Sequence, residues 1–290
     1  MKETEFKPRR SVLFMPGSNA RALEKAKTID SDTLVFDLED AVAPSAKAEA
    51  RELVGAALRS GDYGRRELVV RINGLDTKWW RDDLAAVGAA GPAAILLPKV
   101  EDSLVLNKVS EEMVWHSSKA TCEFWVMLET PRGILRAEEI ASSHDRLTTL
   151  IIGINDLVKD MRARHVPGRE PVLAALSHAL LVARTCGLNI LDGVYSDFKD
   201  AAGFEAECEQ ARNMGFDGKT LIHPSQVETA NRIFAPDVAE LAQAQRLIAA
   251  FKVAKAEGKG VAVLDGRMIE ELHVLEARRL VQMAIQINDS

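Results

Sequence analysis

A (β/α)8 barrel is the fold that this chain of 290 residues predicts, on three observations. Eight short apolar runs alternate with Ala-, Glu- and Lys-rich stretches of helical spacing. The runs are almost continuously apolar, as strands of a parallel sheet buried on both faces must be. Charged or polar groups stand at the carboxyl ends of the runs around the whole cycle, where a barrel keeps its active site. An open doubly wound sheet is the competing arrangement, but it would gather such groups near one switch point.

In chain order the strand candidates are "SVLFMPG" (11–17), "TLVFDLED" (33–40), "ELVVRIN" (67–73), "AAILLPKV" (93–100), "EFWVMLET" (123–130), "LTTLIIGIND" (147–156), "LNILDGVYSDF" (188–198) and "DGKTLIHP" (217–224). Segments such as "SAKAEARELVGAALRS" and "PVLAALSHALLVARTCG" read as the helices between them. The barrel is expected over residues 9–234. Beyond it, a helix from about Pro236 to Gly258 sets Leu241, Ala244, Ile248 and Phe251 on one stripe. A Gly-rich turn, a short apolar run and a final helix follow. Residues 235–290 thus read as a helical segment too small to own much of a core, which must pack on the barrel or on a neighbouring subunit; the resemblance given below makes it a lid or oligomerisation segment.

Composition excludes several classes of function. With 47% hydrophobic and 28% charged residues the chain is globular. Its net charge of −6 argues against nucleic-acid binding, which needs a basic face to neutralise phosphates. No apolar run approaches the roughly 20 residues that span a bilayer, and "MKETEFKPRR" lacks the apolar centre of a signal peptide. Cys122, Cys186 and Cys208 are odd in number and widely spaced, with no CxxC pair, so they read as buried free thiols in a reducing cytoplasm.

In a barrel, Asp37, Glu39, Asp40, Arg71, Asn73, Lys99, Glu129, Asp156 and His223 should converge on one mouth. Crowded carboxylates need a raised pKa, a cationic partner or a divalent metal. Glu129 and Asp156 are hard oxygen ligands without His or Cys beside them, which suits Mg²⁺ rather than Zn²⁺. The alternative is that such acids cap helices, Asp156 serving 157–162. Arg71 is a bidentate donor suited to a substrate carboxylate, or equally a salt-bridge partner of Asp37 or Glu39. Lys99 reads as a bridge to a nearby acid before a Schiff-base lysine. His223 reads as bonded to loop backbone, and His116, His144, His165, His178 and His273 as structural. The absence of GxxxxGK[ST] and GxGxxG weakens nucleotide hydrolase and dehydrogenase readings. "MPGSNARALEKA" offers helix-start N–H groups to an anion, with Arg10, Lys25 and Lys47 supplying charge.

Eight motifs taken together, "RRSVLFMPGSNARALEKA", "DTLVFDLEDAV", "VVRING", "LLPKVE", "LETPRGIL", "IGINDL", "GFDGKTLIHPSQVETANRIFAP" and "GVAVLDGRMIEELHVLEAR", resemble in order the citrate lyase β-subunit family. That family also holds malyl-CoA and citramalyl-CoA lyases and is related to the HpcH/HpaI aldolases; the resemblance covers about residues 9–280. It implies a homotrimeric or hexameric (β/α)8 barrel that uses Mg²⁺, or Mn²⁺ in its place. The implied reaction cleaves or forms a 3-hydroxyacyl-CoA thioester such as malyl-CoA, β-methylmalyl-CoA or citramalyl-CoA, giving acyl-CoA and a 2-oxo acid. By the same resemblance Glu129 and Asp156 match the metal ligands, and Arg71 the holder of the carboxylate or keto acid. Arg10, Lys25 and Lys47 match contacts to CoA phosphates, with Asp37 and Glu39 as supporting acids. Asp265 of "LDGRMI" matches an acid that the malyl-CoA lyases deliver on a neighbouring subunit's lid. It would protonate the enolate carbon on cleavage, or abstract that proton in condensation; as a bare sequence, "LDG" is simply a good turn. A (3S)-malyl-CoA thioesterase using the same metal and arginine is the alternative activity. A non-catalytic barrel subunit is a further one, and it predicts a broken metal pair or a missing arginine.

Overall fold

The structure is a computed structural model that describes residues 7–114 and 122–288, so His116 lies outside the described residues. Eight parallel strands close a barrel: β1 Ser11–Pro16, β2 Thr33–Asp37, β3 Glu67–Arg71, β4 Ala94–Leu97, β5 Glu123–Leu128, β6 Leu147–Ile152, β7 Asn189–Asp192 and β8 Gly218–Leu221. Each pairs with the next, and β8 returns to β1 through Val12↔Thr220. Val12, Val35, Val69, Ala94, Leu96, Trp125, Met127, Ile151 and Leu191 pack together as the filling of the barrel. They lie two apart within a strand, as the pleat requires of residues on one face.

The strands are shorter than the apolar runs suggest, because the last polar residues of each run leave the ladder. β6 stops at Ile152, and Gly153 caps a helix, Ile154–Asp160, that carries Asp156 in its first turn. Likewise β7 ends at Asp192, and "GVYSDF" is a loop.

The chain divides into two compact units, Arg9–Arg232 and a smaller one from Ile233 onward. In the smaller unit the helices Val238–Ala256 and Glu271–Asn288 pack on each other and on an antiparallel hairpin, β9 Ala262–Leu264 and β10 Arg267–Ile269. Phe251, Ala254, Ala262, Ile269 and Val274 form its core, with Ile248 against it. The hairpin turn is Asp265-Gly266 with φ of 52° and 74°, the positive pair that a twisted two-residue hairpin needs. The three cysteines are free, and burial raises all three thiols, that of Cys208 to about 12. Among the described residues no helix is long and apolar enough to cross a membrane.

Candidate active site

The period of two along a strand assigns the mouth residues. Val35 faces the interior, so Asp37 does too; Val69 places Arg71, and Trp125 with Met127 places Glu129. Asp37 and Arg71 are direct register partners on β2 and β3. Above the filled core opens a cleft of about 430 Å³. Asp37, Asp40, Arg71, Glu129 and Asp156 line it together with the apolar Phe14, Met127, Ile152, Ile154, Val194 and Ile222.

Arg71 is held from three sides. Nε and Nη2 donate to the two carboxylate oxygens of Asp37 at 2.7 and 2.6 Å. Nη1 lies 2.9 Å from Oε2 of Glu39 and 3.4 Å from Asp40, and the guanidinium stacks over Phe14. Burial works against its charge, but Asp37, Glu39 and Asp40 outweigh burial and raise its pKa. The salt bridge expected as the alternative for Arg71 is therefore present. Nε and Nη2 are committed to Asp37, while Nη1 makes only longer hydrogen bonds, to Asp40 Oδ2 at 3.4 Å and Met127 Sδ at 3.8 Å. Oε2 of Glu39 is close to Nη1 but poorly aligned, and it is a buried acceptor without a hydrogen bond.

Glu129 is the most perturbed acid. Burial and the nearby charge of Glu39 push its carboxyl up to about 7, against the pull of the Lys99 amide and Arg71. Oε1 accepts from the Lys99 N–H at 2.6 Å. Oε2 lies against Gly153, where a Cβ would overlap both the Cβ and Oε2 of Glu129. Only glycine lets the carboxylate lie across the start of the helix that carries Asp156. Thr130 turns the chain at once into the helix Pro131–Leu135, its hydroxyl accepting from the Gly133 N–H at 3.0 Å. Asp156 does not cap 157–162, because the helix already begins at Ile154.

The donor set suits a hard divalent cation. Asp37, Glu39, Asp40 and Glu129 face Arg71 and Lys99, and Lys159 lies 3.8 Å from Asp156, so five acids stand against three bases. Glu39 has an orphaned buried oxygen, and burial raises its carboxyl. No three His, Cys, Asp or Glu side chains among the described residues converge closely enough to cage an ion. Glu129 and Asp156 would supply two ligands, leaving water and substrate oxygens for the rest, the habit of Mg²⁺.

Several expected residues lie elsewhere. Arg10 precedes β1 at the amino-terminal end of the barrel and is locked to Asp32 through Nε and Nη2 at 2.8 and 2.7 Å; buried there, it is no phosphate contact at the mouth. The correction follows from position, since a residue that starts a strand is a barrel length from one that ends it. Asn73 is buried between the Leu38 carbonyl and Asp83. Lys47 spends its ammonium on the carbonyls of Leu38 and Glu39, both at 2.7 Å, which fixes the loop bearing Glu39. Lys25 is exposed in the last turn of the helix Ala20–Ala26. His223 stacks on Phe198, and its Nδ1 accepts from the Ser225 N–H, a loop-backbone bond. Lys99 bridges Glu39 at 3.4 Å. Asp265 occupies the hairpin turn and is paired with Arg246 in the smaller unit.

Sequence reasoning misses a buried quartet behind the barrel wall. Lys219 Nζ reaches Asp192 at 2.6 Å and Glu207 at 2.7 Å, and Arg169 Nη1 binds both oxygens of Asp192. Its signal is present: Asp192 ends β7, Lys219 lies within β8, and the two are register partners.

The molecule is thus a closed parallel barrel whose mouth gathers acids around one arginine. The HpcH/HpaI aldolase/citrate lyase profile matches residues 10–224, and this chain belongs to that family. A (3S)-malyl-CoA thioesterase of Cereibacter sphaeroides is 48% identical over 277 residues, covering 96% of this chain and 95% of the relative. The citrate lyase subunit beta of Leuconostoc mesenteroides subsp. cremoris is 37% identical over 282 residues, covering 95% and 93%. The crystal structure of the protein CitE from Mycobacterium tuberculosis in complex with magnesium, acetoacetate and coenzyme A is 27% identical with a TM-score of 0.76, covering 94% and 97%.

Proposed function

We propose that this protein is a Mg²⁺-dependent enzyme of the cytoplasm that acts on a 3-hydroxyacyl-CoA thioester of the malyl-CoA type, with hydrolysis to the free hydroxy acid and CoA as its reaction. The observation that carries this choice is the 48% identity to a (3S)-malyl-CoA thioesterase over nearly the whole of both chains. The mouth supports it, because Glu129, Asp156 and Arg71 stand together there with apolar side chains.

The residues divide the work. Glu129 and Asp156 would hold the ion, which when bound supplies polarisation of a substrate oxygen and relief of developing negative charge. Arg71, held rigid by Asp37, presents Nη1 to the terminal carboxylate of the acyl group and so orients it. Phe14, Met127, Ile152 and Ile154 cover the chain between the two ends. In hydrolysis water adds to the thioester carbonyl, the C–S bond breaks, and the CoA sulfur leaves and takes a proton. Lys25 is an exposed cation suited to the CoA phosphates, whereas Arg10 is left out because Asp32 occupies it.

Carbon–carbon cleavage to acyl-CoA and a 2-oxo acid is the second reading, favoured by the match to citrate lyase β-subunits. It needs an acid to protonate the enolate carbon, and Asp265 is our candidate, carried on the segment 235–290 acting as a lid, in cis or within a homotrimer or hexamer. Incubation with Mg²⁺ and (S)-malyl-CoA, with malate, CoA, glyoxylate and acetyl-CoA quantified separately, decides between them. Malate with CoA is the expected result; glyoxylate with acetyl-CoA would replace hydrolysis by cleavage.

A further inference from the structure

Lys99 is a lysine in a conformation that disfavours lysine. Its φ is 50°, in the left-handed region that costs a non-glycine residue about 1 kcal/mol or more. Glycine would adopt it freely, so what the side chain and the backbone each accomplish there is a physical question. The backbone answer is the N–H, which this φ aims at Oε1 of Glu129, 2.6 Å away. With Oε1 taken, Oε2 is the oxygen turned toward Gly153 and the helix of Asp156. The side-chain answer is charge. The ammonium bonds Glu39 at 3.4 Å and remains 43% exposed. One residue thus touches one acid through its amide, Glu129, and a second through its ammonium, Glu39.

We propose that Lys99 is a positioning and charge-balancing residue: its amide selects which oxygen of Glu129 is offered to the ion, and its ammonium counters the acidic mouth when no ion is bound. This rests on the reading of Glu129 and Asp156 as the ion's ligands. A divalent ion then enters against a resident positive charge, and Lys99 sets the ion's affinity below what the acids alone would give. Glycine could aim the amide, but only a long cation can do both.

Calorimetric titration of Mg²⁺ into the metal-free full-length protein tests this without reference to turnover. Lys99→Met removes the charge and keeps the stem, and should bind Mg²⁺ roughly three- to tenfold more tightly than wild type. Lys99→Arg keeps the charge and should match wild type within about twofold. Lys99→Gly should also bind more tightly and should melt higher, since the backbone strain is relieved. Lys99→Val lacks the charge as Met does, but its branched side chain resists positive φ; it should bind more weakly than Lys99→Met because the amide leaves Glu129. A residue that served the fold alone would lower the melting temperature in every variant and tighten Mg²⁺ in none. Unchanged or weaker binding by both Lys99→Met and Lys99→Gly, with wild type still binding Mg²⁺, overturns the inference alone. Wild type that binds no Mg²⁺ overturns the ligand assignment of Glu129 and Asp156 along with it.

Discussion

The two ends of the barrel both bury charge, and they do it differently. At the amino-terminal end Arg9 spans Glu67 and Glu123 at 2.7 and 3.2 Å and lies over Trp125, while Arg10 locks Asp32. Every one of those charges meets its opposite, and the groups hold strands together. At the carboxyl end Arg71, Lys99 and Lys159 face five carboxylates, one with an orphaned oxygen and one pushed up to about 7. Behind the wall, Arg169 and Lys219 meet Asp192 and Glu207 two against two, although Arg169 Nη2 makes no hydrogen bond. Matched charge marks structure, and unmatched charge marks a place kept for a ligand, because burying surplus charge costs stability that folding alone would not retain.

The widest separation should come from one substitution at each end. Glu129→Gln should cut Mg²⁺-dependent turnover roughly a thousandfold or more while the protein stays folded. Arg9→Met removes the arginine that Glu67 and Glu123 share and should cost up to about 3–5 kcal/mol of stability with kcat unchanged. Steady-state kinetics beside denaturant melts check both; a kinetic collapse for Arg9→Met at unchanged stability would erase the distinction between the ends. Next, Gly153→Ala should displace the Glu129 carboxylate and lower turnover roughly ten- to a hundredfold, with intact secondary structure by circular dichroism.

Titration gives the third effect. The carboxyl of Glu129 is raised from about 4.5 to about 7 on folding, so between those values the folded protein holds a proton that the unfolded chain has released. Stability of the metal-free protein should therefore fall as pH rises through that window, by about 3 kcal/mol from this group. Glu129→Gln should flatten the slope and Mg²⁺ should oppose it; a wild-type curve that rises across the window contradicts the assignment. The smallest effect concerns two cations that look alike in sequence. Lys25→Gln should raise KM for the CoA thioester a few-fold, less at high salt. Arg10→Gln should leave KM alone and lower the melting temperature.

The barrel is legible in the sequence because each apolar run is long enough to be a buried strand and too short to be a helix core. The identities of Asp37, Arg71 and Glu129 as mouth residues are legible for the same reason, since the period of two carries the inward face to the end of the run. Asp156 looks like a strand end but belongs to the next helix, because nothing in "LIIGIND" marks the point where the backbone turns from extended to helical except Gly153. Arg10 is misread from its charge, because "RRSVLF" does not say that a strand-starting arginine faces an aspartate at the opposite end of the barrel. The left-handed backbone of Lys99, the closeness of Gly153 to Glu129 and the pairing of Lys219 with Asp192 depend on contacts between residues far apart in the chain. Local pattern does not encode them.

If the surplus charge at the mouth exists for a divalent ion, binding that ion must expel the proton that Glu129 holds. Mg²⁺ titration in weakly buffered solution near pH 7, with proton release read directly, is the measurement to make. The account predicts release of about half a proton per ion near pH 7, fading as pH rises further and abolished in Glu129→Gln. Mg²⁺ binding without proton release, or release undiminished in Glu129→Gln, would contradict it.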